Sequence, residues 1–344
     1  MDLIEQALLQ QLTGHAADQT GLWVVDENLP ALTQIPPIAG LELLTNRFDL
    51  SANASAKGWP IRYSDFDFSP WNDGSFDRIY YRVSKEKAVV NHVINQASRL
   101  LKEDGELVLI GAKNEGTKTY YDKARKLLGQ GELVKLGKGG FCGTVTRQEP
   151  LGELLDDRDY PTLRPIADPF ISKPGLFGWD KFDQGSQYLV AEFDAIWPTL
   201  KTPQPRVLDL GCGYGFLSVN AHLKGVESIV ATDNNAAAVI ACQQNFDRLG
   251  INGSVVADDC AANQTERFDL VLCNPPFHQG FSVEGELTDR FLASAARLTA
   301  RDGVALFVAN MFIPLERKAK GLFGKVETFA DNGSFKLVRL SRPK

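Results

Sequence analysis

Two short stretches of this chain carry residue types that do chemistry together. Asn274-Pro275-Pro276-Phe277 offers two oxygen acceptors, the Asn274 side-chain amide and the Pro275 carbonyl, on a loop that its prolines stiffen. An amino group conjugated to a ring is a poor nucleophile because its lone pair is delocalised. Two acceptors aimed at its protons favour the pyramidal form in which that pair can attack. As the nitrogen gains positive charge, the same oxygens stabilise it in the transition state. Phe277 is placed to stack on a planar acceptor. No general base is assigned, because the product cation is acidic enough to lose its proton to water; His278 is the nearest candidate. The second stretch is Asp209-Leu210-Gly211-Cys212-Gly213-Tyr214-Gly215. Its glycines permit positive φ and close approach of backbone to a ligand, and a helix starting near Phe216 offers free amides to a carboxylate. The spacing Gly-x-Gly-x-Gly departs from the Gly-x-Gly-x-x-Gly of dinucleotide sites and favours S-adenosylmethionine. Together the two stretches point to methyl transfer onto a planar nitrogen.

Each stretch needs a strand behind it. Val207-Leu208-Asp209-Leu210 and Phe268-Asp269-Leu270-Val271-Leu272-Cys273 read as strands that end at the two loops. A further strand, Ser228 to Thr232, ends at Asp233 with Asn234 beside it, about 20 residues past the glycines, where a ribose-diol acceptor is expected. Asp233 also suits the start of a helix from Asn235 onward, and the two roles are compatible. Ser254 to Ala257 ends in Asp258-Asp259, either of which is placed to accept from an adenine amino group.

The first half of the chain repeats this plan. Residues 1 to 20 read as an amphipathic helix, Leu22 to Asp26 and Phe76 to Tyr81 as strands, and Ser84 as the cap of a helix carrying Val89, Val90, Val93, Ile94, Ala97, Leu100 and Leu101. Asp104-Gly105 turns the chain into Glu106 to Ile110. Phe76-Asp77-Arg78-Ile79 matches Phe268-Asp269-Leu270-Val271. Leu100 to Gly105 matches Leu298 to Gly303, and Lys123 to Gly129 matches Lys318 to Gly324. Gly140-Phe141 stands where Ser334-Phe335 stands. Matches in register favour an ancient duplication. The copies differ where chemistry would sit: Glu27-Asn28-Leu29-Pro30 replaces the glycine loop, and Tyr81-Arg82-Val83-Ser84 stands in place of Asn-Pro-Pro-Phe. The expectation is therefore an α/β protein of two tandem Rossmann-like domains, the first (1–150) degenerate, the second (175–344) catalytic, joined by a Pro- and Asp-rich linker at 151–174.

A length of 344 residues suits two domains, and 44% hydrophobic with 23% charged residues suits a globular chain. No run approaches the ~20 apolar residues of a membrane span, and the start lacks the pattern of a secretion signal. Five isolated cysteines without a Cys-x-x-Cys pair indicate neither a zinc site nor a disulfide framework, which suits a reducing cytoplasm. The net charge of −6 argues against wholesale coating of nucleic acid, yet residues 113–138 hold seven Lys or Arg against three acids, and 315–344 hold eight against three. Such segments suit phosphate contacts that position a structured RNA.

The glycine loop, the acidic end of the next strand and Asn274-Pro275-Pro276-Phe277, in this order, resemble the class I S-adenosylmethionine-dependent methyltransferases. Adenine-N6 and protein-glutamine methyltransferases usually carry Tyr after the two prolines, where this chain has Phe277. The run Asn274 to His278, Val308-Ala309-Asn310, the ending Gly333 to Val338, and the entry Pro174-Gly175-Leu176-Phe177 through Asp183-Gln184-Gly185-Ser186 resemble the bacterial ribosomal RNA guanine-N2-methyltransferases. That resemblance implies a guanine acceptor in rRNA, flipped from its stack, with 16S preferred over 23S, and naked RNA or an assembling ribosomal subunit as partner. It also implies that Phe177, Phe182 and Asp183 line the cofactor cleft and that Asn310 lies near the acceptor loop. The family's aromatic residue after the Asn310 segment is missing, because Ile313-Pro314-Leu315 stands there. No metal is implied, and a monomer is favoured. The rival readings are methylation of a protein glutamine or an adenine, and a non-catalytic RNA-binding protein.

Overall fold

The computed structural model describes residues 2–26, 35–276 and 281–344, with the backbone alone for 281–285. The chain divides into two compact units, Met1–Thr162 and Leu163–Lys344.

In the first unit the strands are β1 (Gly21–Val25), β2 (Leu41–Thr45), β3 (Ile61–Tyr63), β4 (Phe76–Arg82), β5 (Leu101–Ala112), β6 (Gly131–Leu136) and β7 (Gly140–Thr146). They form one sheet in the order β3-β2-β1-β4-β5-β7-β6, parallel except for the pairs that β7 makes. Helices α1 (Leu3–Thr13), α2 (Phe48–Ala56), α3 (Lys87–Leu100) and α4 (Thr117–Leu128) cover it. A central strand of such a sheet is buried on both faces, which is why β1 is apolar throughout. Its Leu22 and Val24 enter one core, and Trp23 and Val25 the other.

The second unit opens with a hairpin, β8 (Arg164–Ala167) and β9 (Phe170–Ser172), and helices α5 (Gln184–Ala191) and α6 (Phe193–Ile196). There follow β10 (Val207–Leu210), α7 (Phe216–Leu223), β11 (Ile229–Asp233), α8 (Ala236–Leu249), β12 (Ser254–Ala257), β13 (Phe268–Cys273), α9 (Phe281–Leu298), β14 (Thr299–Asn310), α10 (Leu315–Ala319), β15 (Phe323–Asp331) and β16 (Phe335–Pro343). The sheet order is β12-β11-β10-β13-β14-β16-β15. This is the first sheet's order, strand for strand, as the internal sequence matches led one to expect.

Strand register makes the two copies comparable residue by residue. Gly21 pairs with Arg78 and Leu41, as Val207 pairs with Leu270 and Ile229. Trp23 therefore stands where Asp209 stands, Val25 where Gly211 does and Thr45 where Asp233 does. Arg82 takes the place of Asn274, one residue later than the alignment through Tyr81. A further shared device lies beyond the strands. Arg99, near the end of α3, donates to the carbonyls of Trp71 and Phe68, each at 2.9 Å. Arg297, near the end of α9, donates to the Ala261 carbonyl at 2.7 Å and to that of Gln264. In both copies one guanidinium gathers the loop that follows the third strand.

Some local expectations shift. The first helix ends at Thr13, with Gly14 as its C-cap, rather than running to residue 20. Ser84 lies two residues before the N-cap of α3, which is Glu86; the Ser84 hydroxyl accepts from the Glu86 amide at 3.2 Å. Asp104-Gly105 lies within β5, where the register with β4 shifts, and Asp104 has a φ of 61°. The stretch after residue 150 is bound at both ends. Asn95 exchanges two hydrogen bonds with the Leu155 backbone, each 2.8 Å, and Tyr160 donates to Asp65 at 2.6 Å, while β8 and β9 belong to the second unit.

Replacing Arg99 by Ala removes both carbonyl contacts of the 68–71 loop. Each charged donor is worth roughly 1.5–3 kcal/mol, so amide exchange in residues 66–73 is expected to rise sharply. Exchange in the second unit should stay unchanged; equal protection of the loop in R99A and wild type would reject the assignment.

Candidate active site

β10 and β13 are parallel neighbours, with Asp209 opposite Leu272. The glycine loop and Asn274-Pro275-Pro276 therefore leave the same edge of the sheet, on strands about 4.8 Å apart. No helix or insertion separates them.

The three glycines serve different ends. All have positive φ: 80° at Gly211, 55° at Gly213 and 87° at Gly215. A Cβ at Gly211 would lie 3.2 Å from the Phe291 ring, and one at Gly215 would lie 2.7 Å from Cys242 Sγ. Those two are glycines because protein packs against them. A Cβ at Gly213 would meet nothing within 4 Å among the described residues. Its bare face is the part of the loop left open to a ligand. The loop hangs on the next strand, since the Thr232 carbonyl accepts from the amides of Gly211 and Cys212, each at 2.9 Å. From the other side Asn245 donates to the Tyr214 carbonyl at 2.8 Å while exchanging two bonds with the Ile171 backbone. This fully buried asparagine, mid-helix and without a motif around it, was invisible to sequence reasoning.

The carboxylates expected at the cofactor each have a place. Asp209 is fully buried, with one oxygen accepting from the Ser218 amide and hydroxyl at 3.0 and 2.6 Å, while Oδ1 has no partner among the described residues. Burial pushes its carboxyl up to about 6, and the nearby Asp233 charge adds to the effect. Asp233 accepts from the Gly213 amide and from the Asn235 amide, both at 2.9 Å. It thus braces the glycine loop, and Asn235 itself caps α8. Asn234, between them, is half-buried. Asp258 is buried and takes both donors of Asn263 at 3.0 Å, whereas Asp259 pairs with Arg290.

At the acceptor loop, Asn274 Nδ2 donates to Asp183 Oδ2 at 2.7 Å and to Ser186 Oγ at 2.8 Å. Pro275 is buried and Pro276 exposed. Phe277 and His278 lie outside the described residues. Asp183 caps α5 and, by its charge, helps burial push the Tyr214 phenol up, so it faces both loops. Phe182 packs on Phe216 with ring centroids 5.1 Å apart, at the start of the helix that leaves the glycine loop; Phe177 is 65% exposed. Asn310 is the last residue of β14, adjacent to β13. Two residues on, Phe312 is 96% exposed. It precedes Ile313-Pro314-Leu315, where the expected aromatic is missing, and its exposure rather than its sequence context sets it apart. The cysteines are all buried and free, and burial raises the thiols of Cys142, Cys242 and Cys273. Among the described residues no group of three His, Cys, Asp or Glu is arranged to hold a metal, and no helix is long and apolar enough to cross a membrane.

This end of the sheet thus combines a buried carboxylate at Asp209 with a loop face at Gly213 that is open among the described residues.

The family model for the methyltransferase small domain matches residues 168–339. The ribosomal RNA small subunit methyltransferase C of Actinobacillus succinogenes is 28% identical over 341 residues, covering 97% of this chain and 98% of its own. Its namesake from Shewanella halifaxensis is 27% identical over 277 residues, 77% of each chain. A solved T. thermophilus 16S rRNA N2 methyltransferase, in complex with AdoMet and guanosine, superposes with a TM-score of 0.81. It has 23% sequence identity and covers 99% of this chain and 92% of that one.

Because the folded carboxyl of Asp209 is raised, ionising it costs stability, and the cost grows as the pH climbs from the ordinary carboxylate range through about 6. At full ionisation the cost is roughly 3 kcal/mol. Asp209→Asn keeps an acceptor for Ser218 without the charge. The ligand-free variant is expected to exceed the wild type in urea stability by more at pH 8 than at pH 5. A gap that does not change between pH 5 and pH 8 would mean that the folded carboxyl ionises in the ordinary carboxylate range and that burial does not raise it.

Proposed function

We propose that this chain, which belongs to the methyltransferase small domain family, transfers a methyl group from S-adenosylmethionine to the exocyclic N2 of a guanine in ribosomal RNA, 16S rRNA by preference. The observation that carries the reading is the side-by-side exit of the glycine loop and Asn274-Pro275-Pro276 from paired strands. The similarity to small subunit methyltransferase C along nearly the whole chain supports the RNA substrate, as does the guanosine in the complex of the T. thermophilus enzyme.

Asp209, Gly211, Gly213, Gly215 and Asp233 would hold the cofactor, with Asn234 and Asp258 or Asp259 at its margins. When bound, it supplies an electrophilic methyl on a sulfonium sulfur. The chain's own part is to present the acceptor. Asn274 Oδ1 and the Pro275 carbonyl take the two protons of the guanine amino group and stabilise the charge that builds on its nitrogen. Their prolines hold them ready before substrate arrives. Phe277, in the acceptor loop, and the exposed Phe312, two residues beyond the end of the neighbouring strand β14, are the candidates to stack on a flipped base.

The first unit is read as the RNA-docking platform. Its seven cations between 113 and 138, Lys113, Lys118, Lys123, Arg125, Lys126, Lys135 and Lys138, have no ion-pair partner among the described residues. In the matching segment of the second unit, Lys318, Lys325, Lys336 and Arg339 are each paired with an acid. Unpaired cations release more counterions on meeting phosphate. The protein is taken as a cytoplasmic monomer that acts on rRNA or an assembling subunit.

Incubated with labelled cofactor and rRNA, small subunits or a protein acceptor, the protein is expected to label RNA only, and digestion should yield N2-methylguanosine. Label in protein or in N6-methyladenosine would favour the rival acceptors, and no label at all a non-catalytic RNA binder. Asn274→Ala should lower kcat by about 10²–10³ and leave cofactor affinity unchanged. Replacing Lys118, Arg125 and Lys126 together by Ala should weaken RNA binding and flatten its log–log salt dependence by about two. An unaltered salt slope would remove the first unit from RNA docking.

A further inference from the structure

The prolines fix the backbone after Asn274, and the residue before a proline is itself confined to extended conformations. Neither constraint decides which end of the Asn274 amide faces the acceptor. A carboxamide has an oxygen and an NH2 of almost equal size, and only its hydrogen-bond partners choose between them. Here both partners come from α5. Asp183 Oδ2 lies 2.7 Å and Ser186 Oγ 2.8 Å from Asn274 Nδ2. Asp183 Oδ2 also accepts from the Ser186 amide at 2.8 Å, so the carboxylate is pinned to the first turn of its own helix. Ser186 is itself 9% exposed.

We propose that Asp183 and Ser186 are positioning residues that lock the Asn274 amide with its oxygen toward the acceptor nitrogen. The assignment rests on the reading of Asn274 as the group that binds the acceptor. Turned over, the amide would set Oδ1 against a carboxylate oxygen at the distance of a hydrogen bond with no proton between them. In a half-buried site that arrangement is strongly disfavoured. Both amide protons are used at α5, so among the described residues Oδ1 is the one side-chain polar atom of Asn274 left for substrate. The pair therefore makes α5, rather than the loop alone, the support of the acceptor site. It also accounts for an Asp183-Gln184-Gly185-Ser186 sequence lying 88 to 91 residues from the group it serves.

Three substitutions separate orientation from charge and from cofactor binding. Asp183→Asn still accepts from Asn274 and from the Ser186 amide and still caps α5. Asp183→Ala does none of these, and Ser186→Ala removes one of the two anchors. With wild-type turnover and N2-methylguanosine as the product established first, D183A is expected to lose about 10²-fold in kcat and S186A about tenfold, the scale of a misplaced reacting group. KM for cofactor should stay unchanged in both, and D183N should keep near-wild-type kcat. D183N falling as far as D183A would mean that the carboxylate works through its charge. A raised KM for cofactor with kcat intact would make it a cofactor ligand, and unchanged kcat in both S186A and D183A would dismiss the lock. Each of these outcomes overturns the proposal. Circular dichroism of D183A checks the helix it caps, and S186A, whose cap is intact, carries the test if D183A does not fold. A wild-type protein that makes no N2-methylguanosine would fail the functional reading itself, which is a different result from a lock that fails in an active enzyme.

Discussion

The parallel pairing of β10 with β13 is the constraint from which the site follows. Parallel strands put their carboxyl ends on one edge, and burial on both faces holds their register, since a slip by one residue would turn Leu208 and Leu210 out of one core and Val207 out of the other. With register held, the last residues of each strand have no freedom to choose their neighbours. Gly211 follows Leu210 and Asn274 follows Cys273, side by side. Chemistry that needs a donor pocket and an acceptor clamp within one molecule's reach can be built there from two loops alone, without a moving part.

The first unit is a control on this argument, because it keeps the pairing and discards the chemistry. Where Asp209 stands buried with an unpartnered oxygen, the first sheet has Trp23, wholly apolar but for an indole nitrogen. Where Asn274 offers its oxygen, Arg82 is tied to Glu115 at 2.9 Å and to the Val83 carbonyl, with both charged groups largely buried. Glu115 in turn accepts from the Ala112 amide at 2.7 Å. At that strand end the charges of Arg82 and Glu115 are thus satisfied within the fold. Removing a ligand site frees its positions for packing, and the released side chains have been recruited into the core and its ion pairs.

Much of this was legible in the chain itself. Fully buried parallel strands announce themselves as apolar runs, and the glycine loop and paired prolines mark strand ends, so the fold, the duplication and the two loops could be read directly. Side-chain partnerships across long sequence separations could not. Nothing near Asn245 says that it staples Ile171 to Tyr214, and nothing near Asn274 says that its amide is held by a helix 88 residues earlier. Ser84 illustrates a different limit. A serine ahead of an apolar helical pattern is a sound cap signal, yet a charged pair of residues intervenes and the helix starts from Glu86 with no side-chain cap. Phe312 was missed because its signal is exposure, a property of the folded surface that composition does not carry.

The buried Asp209 shows why the second unit has kept groups that its own stability disfavours. A carboxyl raised to about 6 by burial is a cost that the first copy has shed by carrying Trp23. A ligand that brings positive charge near Asp209 would offset this cost, which would couple binding strength to fold stability. Asn274 stands on the opposite side of the same ledger: its two donors are satisfied within the protein, and its acceptor is left for the substrate. On the proposed reading, one loop meets a cation and the other a pair of amino protons. That complementarity of unmet demands, on two adjacent strands, is what distinguishes the working copy from the fold it shares with its partner half.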